Sequence, residues 1–141
     1  METSVVRNRL RETIERAKRR AADRRGHHDE AARAYDAFLE HVATPLMRQV
    51  AGALKADGYA FTVFTPSGSV RLMSDRRAED FIEIVLDAAS DAPRVLGHVS
   101  RLRGRHIVET ERPIGNGTPG AVSEEDVLEF LLKEIEPFVE R

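Results

Sequence analysis

Between Tyr59 and Arg112 the chain alternates apolar and polar residues, and that alternation sets most of what it can fold into. Phe81-Ile82-Glu83-Ile84-Val85-Leu86-Asp87 is the clearest case. Ile82, Ile84 and Leu86 share one face; Glu83 and Asp87 share the other, with Val85 between them. A period of two marks a strand with one side against a core. Tyr59 to Phe64 has the same pattern, with Tyr59, Phe61 and Val63 on one side, and Val70 to Met73 puts Val70 and Leu72 together. Thr65-Pro66-Ser67-Gly68 between them reads as a turn: proline pre-sets φ at the first central position, and glycine tolerates φ > 0 at the close. Pairing Val63 with Val70 keeps all five apolar residues on one face, whereas a one-residue slip breaks that agreement.

The stretch Ser74 to Asp80 is polar and forms a connection. Ser90-Asp91-Ala92-Pro93 is a turn, and Val95 to Leu102 is the next strand. Arg103-Gly104 is read as a two-residue hairpin loop leading into Arg105 to Glu111. That register sets Val99 opposite Val108 and His98 opposite Glu109. The result is an antiparallel meander of about five strands with one apolar face, which the flanking helical segments must cover.

Those segments are legible from their spacing. Ser4 to Arg25 carries a narrow stripe of Val6, Leu10, Thr13 or Ile14, Ala17 and Ala21. Its nine basic residues against Glu12, Glu15 and Asp23 leave a local charge of about +6. Gly26-His27-His28-Asp29 is expected to break or kink the helix, since glycine costs roughly 1 kcal/mol in a helix interior. Asp29 would cap the next segment. His27 and Glu30 would lie one turn apart, but two ligands make no metal site.

From Glu30 to Ala43 an apolar face is formed by Ala31, Tyr35, Phe38, Leu39 and Val42. Thr44-Pro45 suits a new helix start, the alternative being one long kinked helix. Leu46, Met47, Val50, Ala53 and Leu54 continue the stripe until Asp57-Gly58. This helix is expected to lie across the meander. After a loop rich in glycine and proline (113–120), Ser123-Glu124-Glu125-Asp126 opens a last helix as a capping box. That helix has a wide apolar face: Val127, Leu128, Leu131, Leu132, Ile135 and Phe138. From Glu109 to Arg141, nine acids and three bases leave about −6, equal and opposite to the N-terminal segment.

The fold class is therefore α+β: N-terminal helices, an antiparallel meander of about five strands, and a C-terminal helix packed on the sheet. Two units are expected, a basic helical extension over 1–28 and a single α+β domain over 29–141. A chain of 141 residues can bury a real core. Net charge is only −2, so there is no overall pull toward nucleic acid or membrane. The absence of cysteine excludes disulfides, thiol catalysis and cysteine metal sites. No apolar run is long enough for a membrane span, and Met1 to Leu10 lacks the apolar segment of a signal peptide. A cytoplasmic protein is the expectation. Lysine occurs only at 18, 55 and 133, a bias that reads as high-GC, bacterial-like coding composition.

No catalytic signature is present. The glycines at 115–120 lack the following lysine of a phosphate loop, and the acids opening the next helix repel phosphate. Ser67 and Ser69 have no nucleophile-elbow context. His98 and Glu109 form a cross-strand pair without a nucleophile. No cofactor and no metal are expected.

The function expected is non-enzymatic: a protein-binding adaptor or regulatory module that associates with itself, with Tyr35, Phe38 and Val42 at the self-association surface. One alternative is nucleic-acid binding through Arg16, Arg19, Arg20 and Arg24 of the basic helix. Another is a small anionic-ligand site, or an enzyme, at the hairpin tip formed by Arg101, Arg103, Arg105 and His106, where guanidinium groups can grip a carboxylate or phosphate in pairs. Membrane-surface binding is not expected, because the basic helix lacks the aromatic and leucine density it needs.

Overall fold

The computed structural model describes residues 1–89 and 92–140. The chain is helical without a break from Thr3 to Ala56. Helix α1 (Thr3–Phe38) passes into a single π turn (Leu39–Ala43), and α2 (Thr44–Ala56) follows directly. Five strands come next: β1 (Phe61–Phe64), β2 (Val70–Ser74), β3 (Phe81–Asp87), β4 (Arg94–Arg103) and β5 (His106–Pro113). Helix α3 (Glu124–Val139) closes the chain.

The expected break at Gly26 does not occur, and the boundary expected between residues 28 and 29 falls inside α1. One glycine costs about 1 kcal/mol, and the alanine, arginine and glutamate residues on either side propagate the helix through it. Asp29 therefore caps nothing. The Thr44-Pro45 step is resolved as the second of its two alternatives, a continuous helix. Proline lacks an N–H, and its ring clashes with the carbonyl four residues back. The π turn accommodates this by a wider ladder, in which the Thr44 N–H donates to the Leu39 carbonyl.

The sheet is a pure antiparallel meander in the order β1-β2-β3-β4-β5. The inner and outer faces of the strands are those expected, but both hairpins have moved. Val63 faces Leu72 rather than Val70. The turn sits one residue late: the Ser69 N–H donates to the Pro66 carbonyl, which places Gly68 (φ 77°) at the third position, where φ > 0 is needed. In the second hairpin Arg103 faces His106, so the loop is Gly104-Arg105. Gly104 has φ 64°, the geometry of a II′ turn with glycine first. An Arg103-Gly104 loop would have forced an arginine into that conformation. Both shifts change the pairing by two residues, so no side chain changes face. The turn expected at Ser90-Asp91-Ala92-Pro93 includes Ser90 and Asp91, which lie outside the described residues.

Helices α2 and α3 cover the inner face. Phe130 of α3 lies on Gly97 of β4, and Phe138 meets Phe61 of β1 edge to face at 6.1 Å, so α3 crosses the sheet diagonally. Met47, Leu72, Ile82, Ile84, Val127 and Leu131 are fully enclosed between the layers. The end of α1 joins this core through Tyr35 and Phe38, which are 3% and 5% exposed. The Tyr35 hydroxyl donates to the Gly68 carbonyl at 2.7 Å and approaches the Ile84 carbonyl at 3.3 Å, tying the long helix to the first hairpin. Tyr35 and Phe38 are thus spent inside the protomer, and Val42 packs against the same core. Of the self-association residues expected there, Tyr35 and Phe38 are therefore enclosed, and Val42 stays half-buried.

Among the described residues, no helix covers the outer face. A row of alternating charge crosses it instead, with Arg71, Glu83 and His98 on neighbouring strands. Arg71 Nε donates to Glu83 at 3.1 Å, as does Ser69 Oγ, and the Arg71 guanidinium lies 4.0 Å from the centre of the Phe81 ring. These contacts leave Glu83 only 8% exposed despite its outward direction.

Candidate protein-interaction site

The apolar faces of α2 and α3 are wider than the sheet can cover. On α2, Leu46, Val50 and Leu54 recur every four residues. On α3, Leu128, Leu132 and Val139 follow at helical spacing. The two rows meet along a groove of about 650 Å³ with Gln49, Asp57 and Glu124 among its polar lining. Leu132 is 60% exposed, on the rim. Glu125, Glu129 and Glu136 are exposed and lie on the same helical row as Leu132, so an apolar trough carries an acidic edge. The sequence signal for this groove was the width of the last helix's apolar face. Its two rows point to different places, one to the sheet and one to solvent.

The N-terminal candidates stand apart from the body. Every residue of α1 through Arg20 is exposed, including Val6, Leu10 and Ile14. Arg16 donates to Thr13 Oγ1 on its own helix; Arg19, Arg20 and Arg24 extend into solvent. Among the described residues, no ion pair involves α1.

The hairpin-tip candidates divide. Arg101 and Arg103 line an open hollow of about 440 Å³ with Arg77, Pro137 and Glu140, whereas Arg105 and His106 are exposed on the turn and take no part in that lining. Arg77 carries no local sequence signal, yet the meander implies it. Alternate turns lie at the same end of such a sheet, so the β2–β3 connection neighbours the β4–β5 turn. Asp80 of that connection is buried and accepts from the Leu102 N–H at 2.8 Å. Three arginines line this one hollow and suit a carboxylate or phosphate, and the Glu140 carboxylate lies on the same lining.

His98 sits opposite Glu111 in the shifted register and reaches Glu109 diagonally, at 3.8 Å. Its ring stands edge-on to Phe81 with centroids 5.4 Å apart, a packing role. The loop before α3 holds no phosphate cradle. Ser123 Oγ accepts from the Asp126 N–H, the Ser123 N–H donates to Asp126, and a side chain at Gly115 would collide with Asp126. The helix N-terminus is thereby capped from within. Among the described residues, no helix is long and apolar enough to cross a membrane.

In comparison with known proteins, no family model matches the chain, and no curated protein or solved structure is detectably similar to it.

Proposed function

We propose that the chain is a non-enzymatic, self-associating adaptor or regulatory module whose binding surface is the α2–α3 groove. The observation that carries this reading is the groove itself, an apolar trough with a leucine more than half exposed on its rim. Exposed apolar surface gathered in one place marks an interaction site. A second copy of the chain is the first occupant, because the molecule is self-complementary in charge: about +6 over Ser4 to Arg25 and about −6 over Glu109 to Arg141. Most soluble oligomers are symmetric dimers, in which each copy offers both halves of the contact.

Leu132→Asp tests this reading. The side chain is exposed in the protomer, so the substitution leaves the fold intact and abolishes association. A variant that associates as the wild type does removes the groove from the account.

A second reading, nucleic-acid binding by α1, is supported by the exposed cations on that helix, none of which forms an ion pair among the described residues. Duplex binding through them would weaken steeply with salt.

A further inference from the structure

We infer that the occupant of the groove is helix α1 of a second copy, exchanged reciprocally so that each basic N-terminal helix lies in its partner's acidic trough. This rests on the self-association reading and specifies its contact. Four features of the structure converge on it.

First, α1 is unsupported. Thr3–Phe38 spans about 54 Å at 1.5 Å per residue, and only Tyr35 and Phe38 near its end are buried. Most helical stability in proteins comes from packing an amphipathic face, which α1 does only at its end, and among the described residues no ion pair reinforces it. Second, its stripe fits the groove. Val6, Leu10 and Ile14 recur every four residues, the same interval as Leu46, Val50 and Leu54 on the receiving wall. A helix laid in a groove is read through anchors at such spacing.

Third, the charges correspond. Arg7, Arg11 and Lys18 follow one edge of the stripe and Arg9, Arg16 and Arg20 the other, against Glu125, Glu129 and Glu136 along the rim of the trough. Fourth, the exchange must be between chains. The helix is continuous through the π turn into α2, and α2 is itself a wall of the groove. Helix α1 cannot lie along its own α2 without breaking that helix, so its own groove is out of reach.

The test is complementation between two full-length variants. Leu10→Asp/Ile14→Asp spoils α1 and keeps the groove; Leu132→Asp spoils the groove and keeps α1. All three side chains are exposed in the protomer, so each variant keeps a folded core with a cooperative thermal transition, while helicity and melting temperature fall by what dimerisation contributed. Each variant alone loses dimerisation by roughly 100-fold or more, the effect of removing one or two buried aliphatic anchors and introducing a charge. An equimolar mixture regains association by sedimentation velocity, because one α1 and one groove remain intact between the two chains.

A mixture that stays monomeric well above the wild-type dissociation constant overturns the inference. So does a dimeric Leu132→Asp variant, which would mean that α1 pairs with α1, and so does a dimeric Leu10→Asp/Ile14→Asp variant, which would mean that groove meets groove. In that last case self-association through the groove survives and only its occupant is wrong. A monomeric wild type removes both.

Discussion

The ring of Phe130 occupies the space where a side chain at residue 97 would stand. A Cβ built on Gly97 overlaps the ring directly, so the absence of a side chain on β4 is what lets α3 lie against the sheet. That contact also fixes the height of α3, and with it the second wall of the groove.

Gly97→Ala is therefore expected to destabilise the protein by about 1–3 kcal/mol, the cost of overpacking a closed core. The double variant Gly97→Ala/Phe130→Leu should recover part of the loss. Thermal unfolding of the three proteins checks this; a Gly97→Ala melting temperature equal to the wild type would mean that α3 does not rest there.

On β3, neighbouring substitutions separate the two faces of the sheet. Ile84→Asp buries an unpaired carboxylate among Val70, Val95 and their neighbours and should abolish folding. Glu83→Ala is milder but not silent. It removes the acceptor for Arg71 Nε and Ser69 Oγ, at about 1–3 kcal/mol, toward the lower end because a third of the Arg71 side chain is exposed. Urea denaturation distinguishes the two. An unchanged midpoint for Glu83→Ala would show that the charge row on the outer face contributes nothing.

Alternation was legible because strand parity is robust: a two-residue change in pairing leaves Ile82, Ile84 and Leu86 where period two put them. Turn positions were less legible, since Pro66 and Gly68 fit two overlapping turns; in the loop observed Gly68 takes the position that needs φ > 0, and its carbonyl accepts from Tyr35. Gly26 misled for a different reason: a single propensity was set against a cooperative helix more than thirty residues long. Tyr35 and Phe38 look the same in sequence whether they face a core or a partner. The interaction surface was visible only as the excess width of the α3 stripe, because exposure of Leu132 depends on how far α2 reaches across the sheet. Arg77 was readable from meander parity and was missed.

Tyr35 provides a signature at high pH. Burial, and then the Glu83 and Asp36 carboxylates, push its phenol well above the ordinary range. The unfolded chain then releases this proton at lower pH than the folded one. Stability from this group is intact below the unfolded value of about 10 and falls as pH rises beyond it. Tyr35→Phe should cost about 1 kcal/mol at neutral pH through its lost hydrogen bonds and should flatten the alkaline decline. Unfolding curves at stepped pH test this. Parallel alkaline slopes in the two proteins would exclude Tyr35 as their source.

The arginines of α1 separate the two functional readings. Replacing Arg16, Arg19, Arg20 and Arg24 with Gln should leave the fold unchanged, because all four side chains lie in solvent. The wild type is expected to bind duplex DNA or RNA no tighter than ~10⁻⁴–10⁻⁶ M at about 150 mM salt. The quadruple variant should weaken self-association, and salt should weaken that of the wild type. Submicromolar, sequence-dependent nucleic-acid binding that the quadruple variant abolishes would replace the adaptor reading with the nucleic-acid one.

Self-association of the wild-type chain is the central claim, and its mass in solution is the most direct test. Light scattering across a concentration series into the high micromolar range should report twice the 15.8 kDa of one chain, with Leu132→Asp at the single-chain mass throughout. A wild type that holds the single-chain mass at every concentration would contradict the account.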